Sequence, residues 1–166
     1  PTDTVYLGTF SRKSLEEIGG FDESLVRNQD YELNWRLRQS GHTIWFDPKL
    51  KVEYLPRRSL KQLGSQYFEY GSWKRRVLIK NPKSLRLRQL APPILLVGLF
   101  ISIVLFFFKS WYGLVVPLTY LISSMISSWL TKETINLKER LLLLPTFATM
   151  HIAWGCGFLF GKTVKR

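Results

Sequence analysis

Charged residues divide the chain into two unlike parts. Residues 1–90 carry 17 Lys/Arg and 10 Asp/Glu, whereas residues 91–166 carry 7 and 2. In the second part the runs 90–108, 110–131 and 141–161 contain no Asp, Glu, Lys or Arg. At about 1.5 Å per helical residue, each run approaches the roughly 30 Å hydrocarbon thickness of a bilayer. The pattern predicts about three membrane helices. A buried core hairpin is disfavoured because the rest of the chain is too short to enclose it.

A second periodic pattern precedes these runs. Between Ser59 and Lys80, apolar and aromatic residues recur every three or four positions, which predicts an amphipathic helix at the membrane interface. Between Arg57 and Arg88, ten Lys/Arg stand against the single acid Glu69. This cluster fits anionic lipid headgroups and the positive-inside rule. The net charge of +12 therefore indicates membrane lipids rather than nucleic acid as partner, with the N-terminal part on the cytoplasmic side of the cell membrane.

The N-terminal part alternates short helical and extended patterns. Ser11 predicts the cap of a helix over 12–18, and Asn28 predicts the cap of a second helix that Gly41 ends. Glu32 is expected to form a surface ion pair with Arg36 at spacing i,i+4. Strands are predicted at Val5–Leu7, Thr43–Phe46 and Val52–Leu55.

One stretch resembles a known family. The residues Gly19-Gly20-Phe21-Asp22-Glu23, the run Asn28 to Arg38, and the following Gly41-His42-Thr43-Ile44 and Pro48 carry the resemblance. They resemble the C-terminal part of the catalytic domain of family 2 inverting glycosyltransferases with the GT-A fold. The likeness is greatest to the membrane-anchored kind that builds bacterial exopolysaccharide, such as the succinoglycan type.

The resemblance implies a fold and a division into domains. We expect an α/β class, the C-terminal part of a GT-A domain, followed by an α-helical transmembrane region. Residues 1–58 would form the acceptor-side end of the catalytic domain. Residues 59–89 would form the interfacial helix and a basic linker, and residues 90–166 the transmembrane region.

The resemblance also implies a reaction. A sugar would pass from a nucleotide sugar to a lipid-linked or polysaccharide acceptor at the cytoplasmic membrane face, with Asp30 as general base. The alternative is that Asp30 is not catalytic and only interacts with the partial positive charge at the helix N-terminus. In the family a Glu usually precedes the base, whereas here the residue is Gln29. Mg²⁺ or Mn²⁺ is expected as cofactor, with its ligands and the nucleotide pocket outside this chain, so that this chain alone should not turn over.

Four further residues are candidates for substrate binding, together with Gln29. Arg57 and Arg58 follow the last predicted strand, and guanidinium groups suit a diphosphate or a saccharide acceptor. Gln66 is the first residue of the segment in which processive relatives carry a Gln-x-x-Arg-Trp signature. Here Glu69 and Tyr70 replace the Arg and Trp, so a processive channel is not indicated. Trp73 belongs to a Tyr-Gly-x-Trp-Lys pattern of the exopolysaccharide enzymes.

Two other functions remain open. One is a non-enzymatic membrane protein whose basic segment binds anionic lipid or a partner. The other is a polyprenyl-phosphate sugar transferase, which would share the fold and differ in acceptor. The single cysteine, Cys156, lies in the third apolar run, so no intrachain disulfide is possible.

Overall fold

The computed structural model describes residues 1–5, 8–131 and 136–162. Within these ranges the regular structure is helical, and short 3₁₀ turns separate several of the helices. The α-helices are α1 (Arg12–Glu17), α2 (Gln29–Gln39), α3 (Leu60–Lys80), α4 (Ala91–Phe107), α5 (Val115–Trp129) and α6 (Leu137–Phe160). The 3₁₀ turns are Pro82–Ser84, Leu87–Leu90 and Trp111–Leu114.

Side-chain caps begin three of the helices. Ser11, Ser59 and Asn136 occupy the N-cap positions of α1, α3 and α6, and each side chain accepts the backbone N–H three residues further on. Gly41 follows α2 with φ of +86°, a conformation that glycine adopts without a steric cost. The predicted helices over 12–18 and 59–80 are therefore confirmed, as is the end of α2 at Gly41.

The predicted α/β class is wrong, because no strand occurs in the ranges that the structure describes. Thr2 N donates to Ile44 O at 2.9 Å, but no ladder continues from this bond. The predicted strand 52–55 is exposed, with Leu55 at 87 %. A strand exists only through backbone pairing with a neighbour, and an extended residue pattern does not supply that neighbour. The predicted strand Val5–Leu7 lies mostly outside the described residues.

A small apolar core holds α1 against α2. Leu33 and Leu37 of α2 are buried together with Ile44 from the segment after the helix. The residues that pack around them come from α1 and the segment before it: Val5, Phe10, Leu15 and Ile18. The core therefore fixes the direction of α2, whose first turn carries Asp30.

Helix α3 packs closely along α6. A Cβ atom built at Gly71 would overlap the Trp154 carbonyl oxygen, and one at Gly157 would overlap the Phe68 carbonyl oxygen. The Ser72 hydroxyl lies 2.9 Å from the Phe68 oxygen and 3.2 Å from the Gly157 oxygen. Small residues allow this approach, as they do between membrane helices. The helix predicted at the membrane interface thus has one face covered by protein.

Two helical segments are long and apolar enough to cross a membrane. They are Leu87–Phe107 and Leu137–Phe160. The apolar run 110–131 forms the short turn Trp111–Leu114 and the 15-residue α5, and it is not one of these two segments. The expected three spanning helices are therefore not supported. Within the described residues, two segments have the length and apolar composition of a membrane span.

Candidate functional site

Asp30 lies in the first turn of α2, where its side chain is exposed. The backbone N–H of Tyr31 donates to Asp30 Oδ1 at 2.8 Å, which holds one carboxylate oxygen against the helix terminus. The carboxylate lines an open cleft of about 640 Å³. Its other walls are Gly8, Phe10, Phe21, Val26, Arg27, Asn28, Gln29, Tyr70 and Trp154. The cleft therefore joins the start of α2 to α3 and α6.

Asn28 fixes the start of α2 against α3. It stands at the N-cap position with φ of +60°, but its side chain makes no capping hydrogen bond. Instead, Asn28 Nδ2 donates to the Tyr70 carbonyl oxygen at 3.2 Å. The predicted cap position is confirmed, and its side chain has a different partner. Gln29, beside it, donates its amide N–H to the Leu25 carbonyl oxygen and keeps an exposed side chain.

Two ion pairs hold the loop before α2 on α3. Arg27 pairs with Glu69. At the C-terminal end of α3, Lys80 Nζ donates to Asp22 Oδ2 at 2.5 Å and to Ser24 Oγ at 2.6 Å. The hydrogen bonds from Lys80 and Ser24 lower the pKa of Asp22 to about 2. The loop is therefore attached along the C-terminal half of α3.

Trp73 lies inside the protein rather than in the cleft. It is 7 % exposed and packs with Leu25 and Val77, with Tyr31 against the same cluster. This core packs the loop before α2 against α3. The structure therefore does not bring Trp73 to Asp30, and its sequence pattern has a packing role here.

Arg57 and Gln66 are connected to the cleft through Tyr70. Arg57 Nε donates to Gln66 Oε1 at 3.1 Å, and Gln66 Nε2 donates to the Tyr70 hydroxyl at 2.6 Å. Tyr70 itself is a wall of the cleft. Arg58 is exposed, and its backbone N–H donates to Gln62 Oε1 at 3.2 Å. The structure thus groups two of the predicted residues beside the cleft and leaves Arg58 outside it.

The predicted pair between Glu32 and Arg36 is confirmed, but it is not a surface pair. Arg36 Nε and Nη2 bind the two Glu32 carboxylate oxygens at 2.7 and 2.8 Å. The Glu32 side chain is only 3 % exposed. Arg36 also donates to the carbonyl oxygens of Ile18 and Gly20 at 2.6 and 2.7 Å. Glu32 therefore holds the Gly19-Gly20 turn on α2 through Arg36.

Glu32→Gln is expected to destabilise the fold by about 2 kcal/mol, because it leaves a half-buried guanidinium without its counter-charge. The matched control is Glu16→Gln, which breaks the Arg12–Glu16 pair at the same i,i+4 spacing with both side chains exposed. That change is expected to cost about 0.5 kcal/mol or less. Thermal unfolding of both variants measures the difference. Equal effects would contradict the structural role given to Glu32.

The cleft does not fit a metal ion. Asp30 is the only acidic residue that lines it. Among residues 1–5, 8–131 and 136–162, no group of three or more His, Cys, Asp or Glu is placed to hold an ion. Divalent metals of the Mg²⁺ type need several oxygen ligands. The residues that line the cleft therefore do not provide a site for a divalent metal.

Comparison with known proteins finds relatives that match part of their length. The chain is 32% identical over 152 residues to the succinoglycan biosynthesis protein ExoA of Rhizobium meliloti, covering 88% of the chain and 44% of that protein. It is 26% identical over 69 residues to a pre-mycofactocin glycosyltransferase of Mycobacterium tuberculosis, covering 42% of the chain and 15% of that protein. These similarities support a glycosyltransferase role. The chain spans less than half the length of either relative. No family model and no solved structure matches it.

Sequence reasoning did not assign three of the cleft residues. Arg27 and Tyr70 meet only because α3 packs on the loop before α2, with the Arg27 guanidinium 5.5 Å from the centre of the Tyr70 ring. Trp154 comes from α6, more than 120 positions after Asp30. Tyr70 belongs to a pattern noted in the sequence, but periodicity within one helix does not show that it reaches Asp30.

Proposed function

We propose that the chain provides the acceptor side of an inverting glycosyltransferase that works at the membrane surface. The donor is a nucleotide sugar, and the acceptor is a lipid-linked saccharide or a polysaccharide end. Asp30 is the general base. The observation that supports this most is that an exposed carboxylate shares one cleft with Trp154, a residue of a helix long enough to span a membrane. The similarity to ExoA supports the same class.

The reaction needs a proton acceptor on the acceptor side. As the acceptor hydroxyl attacks the anomeric carbon, its proton passes to the Asp30 carboxylate, and the nucleoside diphosphate leaves from the opposite face of the sugar. The bond to the leaving oxygen breaks as the new glycosidic bond forms, so the anomeric configuration inverts. The hydrogen bond from Tyr31 N to Asp30 Oδ1 fixes the orientation of the carboxylate. Mg²⁺ or Mn²⁺, expected from the family resemblance, would stabilise the leaving diphosphate.

The remaining cleft residues suit a saccharide. Tyr70 and Trp154 offer aromatic surface, while Gln29 and Arg27 offer hydrogen-bond donors at the rim. Arg57 and Gln66 hold Tyr70 through the hydroxyl bond described above. In this arrangement Gln29 and Tyr70 contact the acceptor directly, and Arg57 and Gln66 position Tyr70.

A transfer assay tests this function. Membranes containing the full-length protein are incubated with a panel of labelled nucleotide sugars. We expect label to enter the lipid or polysaccharide fraction together with an equal amount of released nucleoside diphosphate. The anomeric configuration of the product, read by NMR, should be opposite to that of the donor. Retention of configuration, or no transfer from any donor, would contradict the proposal.

A further inference from the structure

A second pocket adjoins the Asp30 cleft. It has a volume of about 290 Å³ and lies where α2, α3, the start of α4 and α6 meet. Asn28, Tyr70 and Trp154 line both the cleft and this pocket, so a single layer of side chains separates them. The pocket contains three basic residues, Lys74, Arg88 and His151, and no acidic residue lines it. The pocket therefore lacks the acidic residue that lines the Asp30 cleft.

Lys74 is a buried cation without a hydrogen-bond acceptor. Its side chain is 4 % exposed, and within the described residues Nζ has no hydrogen-bond partner. Nζ lies 3.3 Å from the centre of the Tyr31 ring, which the Tyr31 hydroxyl holds in place by donating to Ser84 O at 2.5 Å. A ring face attracts the charge but satisfies none of the three N–H groups as an oxygen would. An unpaired buried ammonium is costly, so the position favours an anionic ligand.

The charges around Lys74 favour the same ligand. Burial, followed by the charges of Arg86 and Arg88, lowers the pKa of Lys74 to about 7. The acid near these arginines is Asp3, which binds Arg86 at 2.6 Å and Arg88 at 3.2 Å. Asp3 thus pairs with the two arginines, and within the described residues Lys74 has no hydrogen-bonded carboxylate, which leaves a surplus of positive charge. Phosphate oxygens accept several charge-assisted hydrogen bonds at once and match such a surplus.

Part of the pocket lining is apolar or aromatic. Pro92 belongs to the first turn of α4, while Met150 and Trp154 belong to α6. Helix α4 belongs to the segment Leu87–Phe107 and α6 is the segment Leu137–Phe160, and both segments are long enough to span a membrane. A ligand in this pocket would therefore have a phosphate at one end and hydrocarbon at the other, as a phosphate-bearing lipid does.

We propose that this pocket binds the phosphate group of a lipid. Lys74 and Arg88 bind the phosphate oxygens, and Pro92 and Met150 contact the beginning of the tail. If the proposed transferase function holds, this lipid is the anchor of the acceptor, whose saccharide end reaches Asp30 past Asn28 and Tyr70. The binding site itself does not depend on the transferase reaction.

Lipid binding to the purified full-length protein in detergent tests the site. The probes are phosphatidic acid, diacylglycerol with the same tails, and inorganic phosphate, with binding measured by titration and native mass spectrometry. We expect phosphatidic acid to bind at least about tenfold more tightly than either of the other two. Equal binding of inorganic phosphate would show a site for a free anion, and equal binding of diacylglycerol would show an apolar site. Either result overturns the proposal.

Variants locate the binding. Lys74→Met keeps the length of the side chain and removes the charge, and it should weaken phosphatidic acid binding about tenfold or more. Arg88→Gln, on the exposed rim, should also weaken it without risk to the core. Lys61→Met removes an exposed charge from the same helix and should leave affinity unchanged. If Lys74→Met and Arg88→Gln both bind like the wild type, the proposal is wrong.

Asp30→Asn separates this site from the proposed reaction. The variant should bind phosphatidic acid as the wild type does, because Asp30 does not line the pocket. If the wild-type protein binds lipid in a Lys74-dependent way but transfers no sugar, the lipid site stands and the transferase proposal fails. If the protein transfers sugar and its lipid binding does not depend on Lys74, the lipid site fails and the transferase proposal stands.

Discussion

Asp30→Asn is expected to lower sugar transfer by about 10²-fold or more in the full-length protein. The amide keeps the size of the side chain and can still accept the hydrogen bond from Tyr31 N, but it cannot take a proton from the acceptor. Because the side chain is exposed, the thermal unfolding temperature should not change. Initial rates of transfer, together with donor binding by calorimetry, separate loss of chemistry from loss of binding.

Asp47→Asn is the matched control. Asp47 is also exposed, and its Oδ1 accepts a nearby backbone N–H, that of Lys49, at 2.9 Å. It does not line the Asp30 cleft. We expect this variant to transfer sugar at the wild-type rate. A similar loss in both variants would point to a general effect of surface charge rather than to a base at Asp30.

Gly71→Ala is expected to destabilise the protein by about 3 kcal/mol, in spite of the better helix propensity of alanine. The added Cβ would overlap the backbone carbonyl oxygen of Trp154, which no rotamer change can move. The two helices must separate, and the wall that α6 gives to the Asp30 cleft moves with them. Thermal unfolding in detergent and the yield of folded protein measure the effect.

Gly64→Ala is the control on the same pair of helices. There the added Cβ would lie 3.3 Å from Thr149 Cγ2, a side-chain methyl group that can shift by a few tenths of an ångström. We expect a change within about 1 kcal/mol of the wild type. If both variants unfold at the same temperature, close packing at Gly71 does not determine the α3–α6 contact.

The helices were predictable because their signals are local. Ser11 and Ser59 cap helices that begin where the sequence indicates, and Gly41 ends α2. The strands were not predictable in the same way. Segments 43–46 and 52–55 have strand-like composition, yet strand formation depends on a pairing partner that composition does not specify.

The candidate site was predictable in part. Asp30 and Gln29 do share a cleft, as expected from neighbouring positions at the start of one helix. The burial of Glu32 was not predictable from spacing, because it depends on Arg36 reaching the Ile18 and Gly20 carbonyl oxygens. Contacts between residues far apart in the sequence cannot be recognised from spacing within one helix.

The α3 pattern did not show which of two neighbouring residues fills the core. Trp73 and Lys74 are neighbours on the buried side of α3, and the sequence pattern allowed either to face inward. Trp73 fills the core, which is the usual place for a large aromatic residue. The burial of Lys74 follows from the meeting of α2, α3, α4 and α6, a tertiary arrangement that helical periodicity does not encode.

Chemical rescue of Asp30→Ala tests the central claim most directly, because it asks whether the missing group is a proton acceptor. The cleft is open and about 640 Å³ in volume, so formate can enter the space left by the removed carboxylate. We predict that Asp30→Ala transfers sugar at least about 10²-fold more slowly than the wild type, and that added formate raises this rate in proportion to its concentration. A rate near the wild type without formate, or a low rate that formate does not raise in a variant that still binds donor, would contradict a general base at Asp30.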